Sequence, residues 1–340
     1  MKRGAIFAAL AMATLPVGGA LAQEVTLKVH HFLPATSPAH KKLIEPWCDR
    51  IAKQSKQRMR CQIYPAMQLG GTPAQLYDQA KDGVVDVVWT IPSYTAGRFP
   101  LVEVFELPFM TRGAEGSSRA LWRYVQAHAA EEFREVHPLA FHTHGGGVFH
   151  MVDKRIEKRS DLRRLKIRAP TRQTNRMLAM LGATPVGMPA SQIPEALSKG
   201  VVDGALLPYE VVSALKADEL TRYHSEIDPK APAIYTTVFV LAMNPASYSG
   251  LPPDLKAVID ANSGLELSAL AGRVFADNDA IGRGRIPASK INQIPLPEVE
   301  RWQKATQRVV DGWVKEVAGK GYDGRLLLES ARRLIAEHAK

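Results

Sequence analysis

The feature that most constrains the fold is a pattern that occurs twice in the chain. The first copy is DGVVDVVWT at residues 82–90, and the second is KGVVDGALL at residues 199–207. Each follows a segment of helical character, 73–81 or 193–198, and each has at its second position a glycine that can adopt the left-handed conformation at a helix end. A repeated helix–turn–strand unit predicts two similar α/β lobes whose strand ends face a shared crevice.

The first 22 residues have the order of an export signal. Met1–Arg3 is positively charged, residues 5–19 are apolar and mostly small, and residues 20–22 read Ala-Leu-Ala, which is typical of a cleavage site. A buried N-terminal helix is the alternative, but it does not account for that order. The apolar run is too short for a good membrane span, so we expect cleavage after Ala22 and a periplasmic location.

The length also favours two lobes, because the roughly 318 residues left after cleavage are more than a single hydrophobic core usually supports. We expect lobe I to comprise residues 23–146 and 233–272, and lobe II residues 147–232 and 273–340. The glycine run Gly145–Gly147 suits a crossing between the lobes, and a return crossing is expected near Pro229–Ile234.

Hydrophobic periodicity predicts the main elements outside the repeated units. The expected strands are Val25–His31, Cys61–Tyr64, Leu139–His144 and Ala233–Met243. The expected helices are Leu43–Ser55, Leu251–Arg283, Pro297–Val317 and Leu326–Ala339.

The composition favours an anionic partner but not nucleic acid. The net charge is +10 over the full chain, and loss of Lys2 and Arg3 lowers it to +8. Positive charge favours anions in general. The basic run at 154–164 has no interleaved aromatic residues, so we interpret it as a solvated loop and helix edge.

The only two cysteines are Cys48 and Cys61. An oxidising compartment makes a structural disulfide between them plausible. Free buried thiols and a redox pair are the alternatives, although the wide spacing is not that of a CxxC motif.

Arg168 is the leading candidate for a ligand-binding residue. It lies at the end of a short strand that Ala169-Pro170 interrupts, and the helix start 171–174 follows directly. A guanidinium can bind both oxygens of a carboxylate, and a helix start adds free N–H donors. This arrangement predicts a site for an organic anion. We expect Arg172, in the first helical turn, to be solvated, because cations are unfavourable at helix N-termini.

Further candidate ligand contacts lie at strand ends and in irregular backbone, where pockets form. Glu210 could orient a hydroxyl or ring N–H of the ligand, or be exposed. Trp89 and Tyr94 could equally belong to the core. Together with Arg168, the candidates are His31, Phe32, Trp89, Tyr94, His144, Leu207, Tyr209, Glu210 and Phe239.

The chain lacks the usual signatures of catalysis and metal binding. His142 and His144 share a strand face, with His150 not far away, but no matched third ligand accompanies them, so we predict no metal site. GxSxG, CxxC and HExxH are absent, and no strand leads into GxGxxG, so no enzyme and no cofactor are predicted. A periplasmic hydrolase or lyase acting on a carboxylic acid, and a ligand sensor for a receptor, remain alternatives.

Seven ordered segments resemble the solute-binding subunit of TRAP transporters, the DctP-type family. They are LKVHHFLPATSPAHK, IYPAMQLGG, GRFP followed by FELPFM, LKIRAPTR, LGATPVGMP, EALSKGVVDGALLPYE and FVLAMN. The resemblance implies a periplasmic binding protein with two α/β lobes, hinge strands and a long helix spanning both lobes. It also implies hinge closure on a ligand, docking on a membrane permease driven by an ion gradient, and a monomer or a homodimer.

The resemblance also assigns a role to Arg168, whose family counterpart typically pairs with the ligand carboxylate. Many members add a second arginine where this chain has Val148 or Phe149, and an asparagine where it has Leu207. Both departures remove polar partners and indicate a flatter, more apolar ligand. The segment 88–100 resembles that of proteins that bind aromatic or heterocyclic carboxylates and related oxo acids.

Overall fold

The protein has two α/β lobes, each built around its own sheet, as described for residues 24–338 by a computed structural model. The two-lobed fold predicted from the repeated pattern is therefore confirmed. The export signal predicted at residues 1–22 lies outside the described residues. Between residues 24 and 338, no helix combines the length and the apolar character needed to cross a membrane.

The first lobe contains a five-stranded sheet with the order β2-β1-β3-β10-β4. Parallel pairing joins β1 to β2 and β3, whereas β10 pairs antiparallel with β3 and β4. Its strands are β1 (Val25–His31), β2 (Met59–Tyr64), β3 (Val87–Thr90), β4 (His137–Thr143) and β10 (Val238–Met243).

The second lobe contains a six-stranded sheet with the order β11-β9-β5-β8-β6-β7. In this sheet β6 runs parallel to β7 and β8, and β5 runs antiparallel to β8 and β9. Its strands are β5 (Val148–Met151), β6 (Lys166–Ala169), β7 (Thr184–Gly187), β8 (Gly204–Leu207), β9 (Tyr223–Ile227) and β11 (Ile291–Ile294).

Twelve α-helices within residues 24–338 cover the two sheets. The segment 251–283, predicted as mainly helical, contains two helices, and Gly264, with a φ of +82°, is the first residue of the second. The helices are α1 (Glu45–Gln54), α2 (Leu76–Lys81), α3 (Ala114–Tyr124), α4 (Arg172–Leu181), α5 (Ile193–Ser198), α6 (Tyr209–Val212), α7 (Ala217–Leu220), α8 (Pro245–Ser249), α9 (Pro253–Ala261), α10 (Gly264–Arg285), α11 (Leu296–Ala318) and α12 (Gly324–His338).

The repeated sequence forms the same local structure in both lobes. Gly83 and Gly200 follow their helices with φ angles of +74° and +65°, as expected for a left-handed helix end. The aspartate of each turn then accepts a hydrogen bond from the first part of the neighbouring parallel strand. The Asp86 carboxylate binds the amide of Lys28 at 2.8 Å, and that of Asp203 binds the amide of Lys166 at 2.7 Å. The repeat therefore positions β3 and β8 equivalently in the two lobes.

Two crossing segments and a long helix connect the sheets of the two lobes. Residues 144–147 join β4 to β5, and residues 228–237 join β9 to β10. The long helix α10 packs against α3 of the first lobe and α6 of the second. At the first crossing, a Cβ atom on Gly147 would lie only 1.7 Å from the ring of Tyr235, so the two crossing strands can approach only because this residue is glycine.

The second crossing corrects one strand prediction. Residues 233–243 were expected to form a single strand, but β10 begins at Val238. Residues 233–237 leave the sheet because they carry the chain from one lobe to the other.

The C-terminal helices form a bridge of their own. Helix α11 packs on α4 of the second lobe, whereas α12 packs on α3 of the first, where Ser330 and His128 form a hydrogen bond of 2.8 Å. We therefore propose that residues 324–338 belong with lobe I, unlike the division predicted from the sequence. The other lobe boundaries stay predictions.

Cys48 of α1 and Cys61 of β2 form a disulfide in the structure, with their Cα atoms 5.7 Å apart. The bridge ties the first helix of lobe I to the edge strand of its sheet.

Candidate ligand-binding site

A small cavity lies between the lobes, next to both crossing segments. Its volume is about 30 Å³, much less than the roughly 150 Å³ of a cavity that binds benzene. An aromatic ring can therefore enter only when the lobes move apart. The cavity is lined by Phe32, Leu33, Ile91, Tyr94, His144, Arg168, Pro170, Ala190, Leu207, Pro208, Glu210, Val211, Tyr235, Thr237 and Phe239.

Arg168 is the cationic residue of this wall. It lies in β6, and only 2% of its surface is exposed. Its Nε donates to the carbonyl of Met188 and its Nη1 to the carbonyl of Leu206, both at 3.0 Å. These bonds fix the guanidinium plane, and the Tyr94 hydroxyl is a further polar neighbour of the guanidinium.

The charge of Arg168 is not neutralised by any carboxylate of the described residues, because no ion pair involves it. Burial lowers its pKa from the ordinary value, while Tyr94 and Tyr235 beside it act in the opposite direction. A buried cation without a counter-ion is costly. A ligand carboxylate would supply the missing negative charge together with acceptors for the free donors.

Aromatic rings form the wall contributed mainly by the first lobe. Phe32 and Tyr94 meet edge to face, with ring centroids 5.5 Å apart. The Tyr94 hydroxyl also accepts a 3.1 Å hydrogen bond from the amide of Ala190 in the second lobe. Phe239 of β10 completes this side. The cavity therefore combines one cation with flat apolar surfaces, which suits a flat organic anion.

Trp89 does not line the cavity, unlike its predicted place among the ligand contacts. Its ring is stacked between Phe32 and Phe239, at centroid distances of 5.0 and 4.8 Å. Its Nε1 donates to Nε2 of His142 at 2.8 Å. All four residues of β3 are buried, because the sheet is covered on both faces. Trp89 consequently supports the lining rings from behind.

We predict that Trp89→Ala destabilises the fold, by about 3–5 kcal/mol of unfolding free energy. The reason is the cavity left by a fully buried ring whose indole N–H is hydrogen-bonded. Chemical denaturation measures the change, and Trp122→Ala serves as a control because Trp122 is only partly buried. Equal losses in the two variants would contradict the supporting role.

His31 and Tyr209 are also outside the cavity wall. His31 is buried and its Nε2 bonds Nδ1 of His40 at 2.9 Å, because the carboxyl end of β1 is covered by the helix that precedes α1. Tyr209 lies against His150 instead, with ring centroids 5.2 Å apart. The structure therefore places neither of these two predicted contacts in the cavity wall.

His144 lines the cavity but is already hydrogen-bonded at both ring nitrogens. Its Nδ1 lies 2.5 Å from the carbonyl of Gly145, so it carries the proton, and Nε2 accepts from the hydroxyl of Thr237 at 3.1 Å. Burial lowers the pKa of His144 to about 4. The ring is therefore neutral and has no free N–H for a ligand. Leu207 also lines the cavity, and its apolar side chain extends the flat wall.

The histidines considered as metal ligands form hydrogen bonds with different partners. His142 accepts from Trp89, while Nδ1 of His150 lies 2.7 Å from Nδ1 of His224. In the part of the chain that the structure describes, no three His, Cys, Asp or Glu side chains are grouped to hold a metal ion.

Arg172 is paired rather than solvated, which corrects the expectation for the start of α4. Its Nε and Nη2 bind the two carboxylate oxygens of Glu103 at 2.6 and 2.5 Å, and Nη1 binds Glu316 at 2.6 Å. Gln173 also donates to Glu103, at 2.7 Å. Glu103 belongs to the first lobe and α4 to the second. We call these four residues the interlobe clamp.

Glu106, next to the clamp, predicts a pH dependence of stability. Burial, and then the charge of Glu103, raise the pKa of Glu106 to about 8, against the hydrogen bond from the Val238 amide. A carboxyl with a raised folded-state pKa stabilises fully below its unfolded value, about 4.5, and loses this contribution as the pH rises through 8. The slope is at most about 1.4 kcal/mol per pH unit.

The expected result is that Glu106→Gln flattens the decline of the unfolding temperature between pH 5 and 9. Glutamine retains the acceptor for the Val238 amide, which lies 3.0 Å from Glu106 Oε1, but it cannot ionise. Thermal unfolding at several pH values measures the effect. A decline as steep as that of the unchanged protein would show that Glu106 is not the titrating group.

Several wall residues were missed by sequence reasoning. Tyr235 is buried beside Arg168, and its position in the return crossing was the available signal. Ala190 and Pro170 also line the cavity, and small or cyclic apolar side chains give no distinctive signal of ligand contact. The residues that were both predicted and found in the wall are Phe32, Tyr94, His144, Arg168, Leu207, Glu210 and Phe239.

Comparison with protein families assigns the sequence to a known family. Residues 29–316 match the model of bacterial extracellular solute-binding protein family 7, DctP. The chain belongs to this family. A TRAP solute-binding protein from Rhodoferax ferrireducens T118, solved with copurified benzoate, is 54% identical, with a TM-score of 0.91. That comparison covers 93% of this chain and 98% of the other.

Two further DctP-family structures have similar architecture. A marine metagenome TRAP protein specific for aromatic acid ligands, solved with 3-hydroxybenzoate, is 40% identical over 94% of this chain and 100% of that one, with a TM-score of 0.90. A Bordetella bronchiseptica protein bound to (R)- and (S)-mandelate is 28% identical over 92% of this chain and 99% of that one, with a TM-score of 0.84. These relatives are binding proteins, in agreement with the absence of catalytic motifs from the sequence.

Proposed function

We propose that this DctP-family protein is the periplasmic solute-binding subunit of a TRAP transporter for aromatic carboxylates. The observation that carries the proposal is the buried guanidinium of Arg168, unpaired with any described carboxylate, in a cavity walled by flat rings. The ligands of the similar solved proteins, benzoate and 3-hydroxybenzoate, support the choice of an aromatic acid. Heterocyclic and 2-oxo acids also carry a carboxylate, but they match the flat aromatic rings of the cavity wall less well.

Binding proceeds by closure of the lobes. In the open form, the carboxylate meets Arg168 on the second lobe and displaces water from its free donors. Phe32, Tyr94 and Phe239 of the first lobe then cover the ring as the crossing segments bend. Because contacts from both lobes exist together only in the closed form, the ligand shifts the population toward closure.

Closure strengthens the ionic contact itself. A charge-assisted pair in a dry crevice is worth more than the same pair in water. Closure also forms the continuous surface that a membrane permease can distinguish from the open form. We also propose that the protein is exported, that its leader is cleaved after Ala22, and that it delivers its ligand to TRAP permease subunits.

Calorimetry on protein that has been unfolded and then refolded tests the proposal, because this treatment removes any ligand retained during purification. We expect benzoate to bind and benzamide, which has the same ring but no charge, to bind at least 100-fold more weakly. Comparable binding of the two would remove Arg168 as the basis of recognition. Absence of binding by every aromatic carboxylate would overturn the function.

The recovered ligand distinguishes a binding protein from a hydrolase or lyase. We expect mass spectrometry to return benzoate unchanged after long incubation with the protein. A product that accumulates with time and protein concentration would favour the enzyme alternative.

A further inference from the structure

Glu210 is an acidic side chain in the cavity wall without a structural partner. It lies at the beginning of α6, directly after Pro208, and only 7% of its surface is exposed. Its backbone amide donates to Asp279 of the long helix α10 at 3.0 Å. The main chain is therefore fixed, and it places the carboxyl group beside Leu207 and Val211 in the wall.

The carboxyl group itself makes no hydrogen bond with residues 24–338, and its Oε2 is fully buried. A buried polar atom without a partner destabilises the native state, and such exceptions in native proteins call for a reason. Leucine or methionine would fill the same place without this cost. The cost is therefore best explained by a partner that arrives with the ligand.

The protonation state of Glu210 indicates which chemical group of the ligand can be its hydrogen-bond partner. Burial, and then the charge of Asp279, raise the pKa of Glu210 well above its ordinary value. Both effects favour the neutral carboxylic acid, which has one O–H donor and carbonyl acceptor capacity, and the carboxyl group can accept a hydrogen bond from a hydroxyl in either protonation state. A hydroxyl group, which also donates and accepts, complements it better than a second carboxylate does.

The position of Glu210 relative to Arg168 indicates where on the ligand the hydroxyl group must lie. Both residues line the same cavity, yet neither an ion pair nor a hydrogen bond joins them within the described chain. A ligand whose carboxylate binds Arg168 must therefore extend across the cavity to reach Glu210. Glu210 also borders an outer crevice of about 180 Å³ next to Lys41 and Lys42, so it marks the end of the cavity nearer the surface.

Resting on the proposed function, we propose that Glu210 is a specificity-determining residue that binds a ring hydroxyl of an aromatic carboxylate. A site built to hydrogen-bond a ligand hydroxyl discriminates strongly against the analogue that lacks it. The preferred ligands are consequently hydroxylated benzoates rather than benzoate. Arg168 supplies affinity for the acid, and Glu210 selects among the acids.

Calorimetry with benzoate, 3-hydroxybenzoate, 4-hydroxybenzoate and 3-methylbenzoate tests the proposal on the refolded mature protein. We expect at least one hydroxybenzoate to bind tenfold or more tightly than benzoate, and 3-methylbenzoate to gain no such advantage. Glu210→Gln, which keeps a neutral donor and acceptor, should retain most of the preference. Glu210→Leu should lose the preference, so that neither hydroxybenzoate binds more tightly than benzoate.

The outcomes separate the two proposals. If benzoate binds but neither hydroxybenzoate is preferred, or if Glu210→Leu keeps the preference, the role of Glu210 is overturned and the proposed function stands. If no aromatic carboxylate binds the unchanged protein, both fail. Thermal unfolding of Glu210→Leu shows whether this variant is folded.

Discussion

Arg168→Ala is expected to weaken benzoate binding by about 2–4 kcal/mol, which corresponds to roughly 30-fold to 1,000-fold in Kd. The guanidinium is the one cationic group in the cavity wall. Without it, closure would bury an uncompensated carboxylate among Phe32, Tyr94 and Phe239. The loss therefore falls on the closed complex rather than on the open protein.

Two further variants show that the effect belongs to the guanidinium. Arg168→Lys should give an intermediate affinity, because an ammonium keeps the charge but cannot form the planar two-point contact. Arg163→Ala, at an exposed arginine that precedes the same strand, should bind like the unchanged protein. Calorimetry measures the affinities, and thermal unfolding confirms that each variant is folded. A change below threefold in Arg168→Ala would exclude Arg168 as the carboxylate-binding residue.

The position of Arg168 could be predicted because its signals are local. A proline after a short apolar run ends a strand, and a threonine followed by a polar turn begins a helix. In the structure β6 ends at Ala169, and Thr171 caps α4 by accepting from the amide of Thr174. The repeated glycine turns were predictable for the same reason, since their conformation depends on neighbouring residues.

The contacts of the aromatic residues were not predictable to the same degree. A strand covered on both faces has no apolar–polar alternation, so the sequence did not indicate whether Trp89 faces the cavity or the core. Phe32 and Trp89 stack on each other, and only the relative placement of β1 and β3 decides which ring lies in front. Tyr235 was overlooked because residues 233–237 have a strand-like composition but cross between the sheets.

The pairing of Arg172 depended on long-range structure. Its partner Glu103 is 69 residues away, in a segment with no motif that predicts an ion pair. Local reasoning about helix dipoles correctly identified an unfavourable position for a cation. Two carboxylates from outside the helix offset that cost, which no pattern within α4 could indicate.

Arg172→Ala is expected to have the second large effect, because it breaks the interlobe clamp. Glu103 is only 1% exposed, and removal of one partner of a buried ion pair costs about 3–5 kcal/mol. Gln173 would remain as a single neutral donor to the carboxylate. In the open form Glu103 can be hydrated, so most of the cost falls on the closed form.

The expected result is a weaker affinity for benzoate although no ligand contact has changed. A ligand that must drive an unfavourable closure loses apparent affinity in proportion to the closed fraction. Small-angle scattering should also show that more ligand is needed to compact the variant. Arg176→Ala is the matched control, because Arg176 lies in the same helix and binds Glu316 but does not contact Glu103.

A pH series distinguishes the clamp from a passive contact. Burial raises the pKa of Glu103 even with Arg172 beside it, so in Arg172→Ala closure should be accompanied by proton uptake at Glu103. Affinity of the variant should therefore rise as the pH falls from 8 to 6, more steeply than that of the unchanged protein.

The double variant Arg172→Ala with Glu103→Gln removes the buried charge, and it should recover part of the affinity and lose the added pH dependence. Unchanged affinity in Arg172→Ala, together with a lower unfolding free energy, would mean that the clamp holds a fixed interface. In that case closure would depend on the ligand and the crossing segments alone.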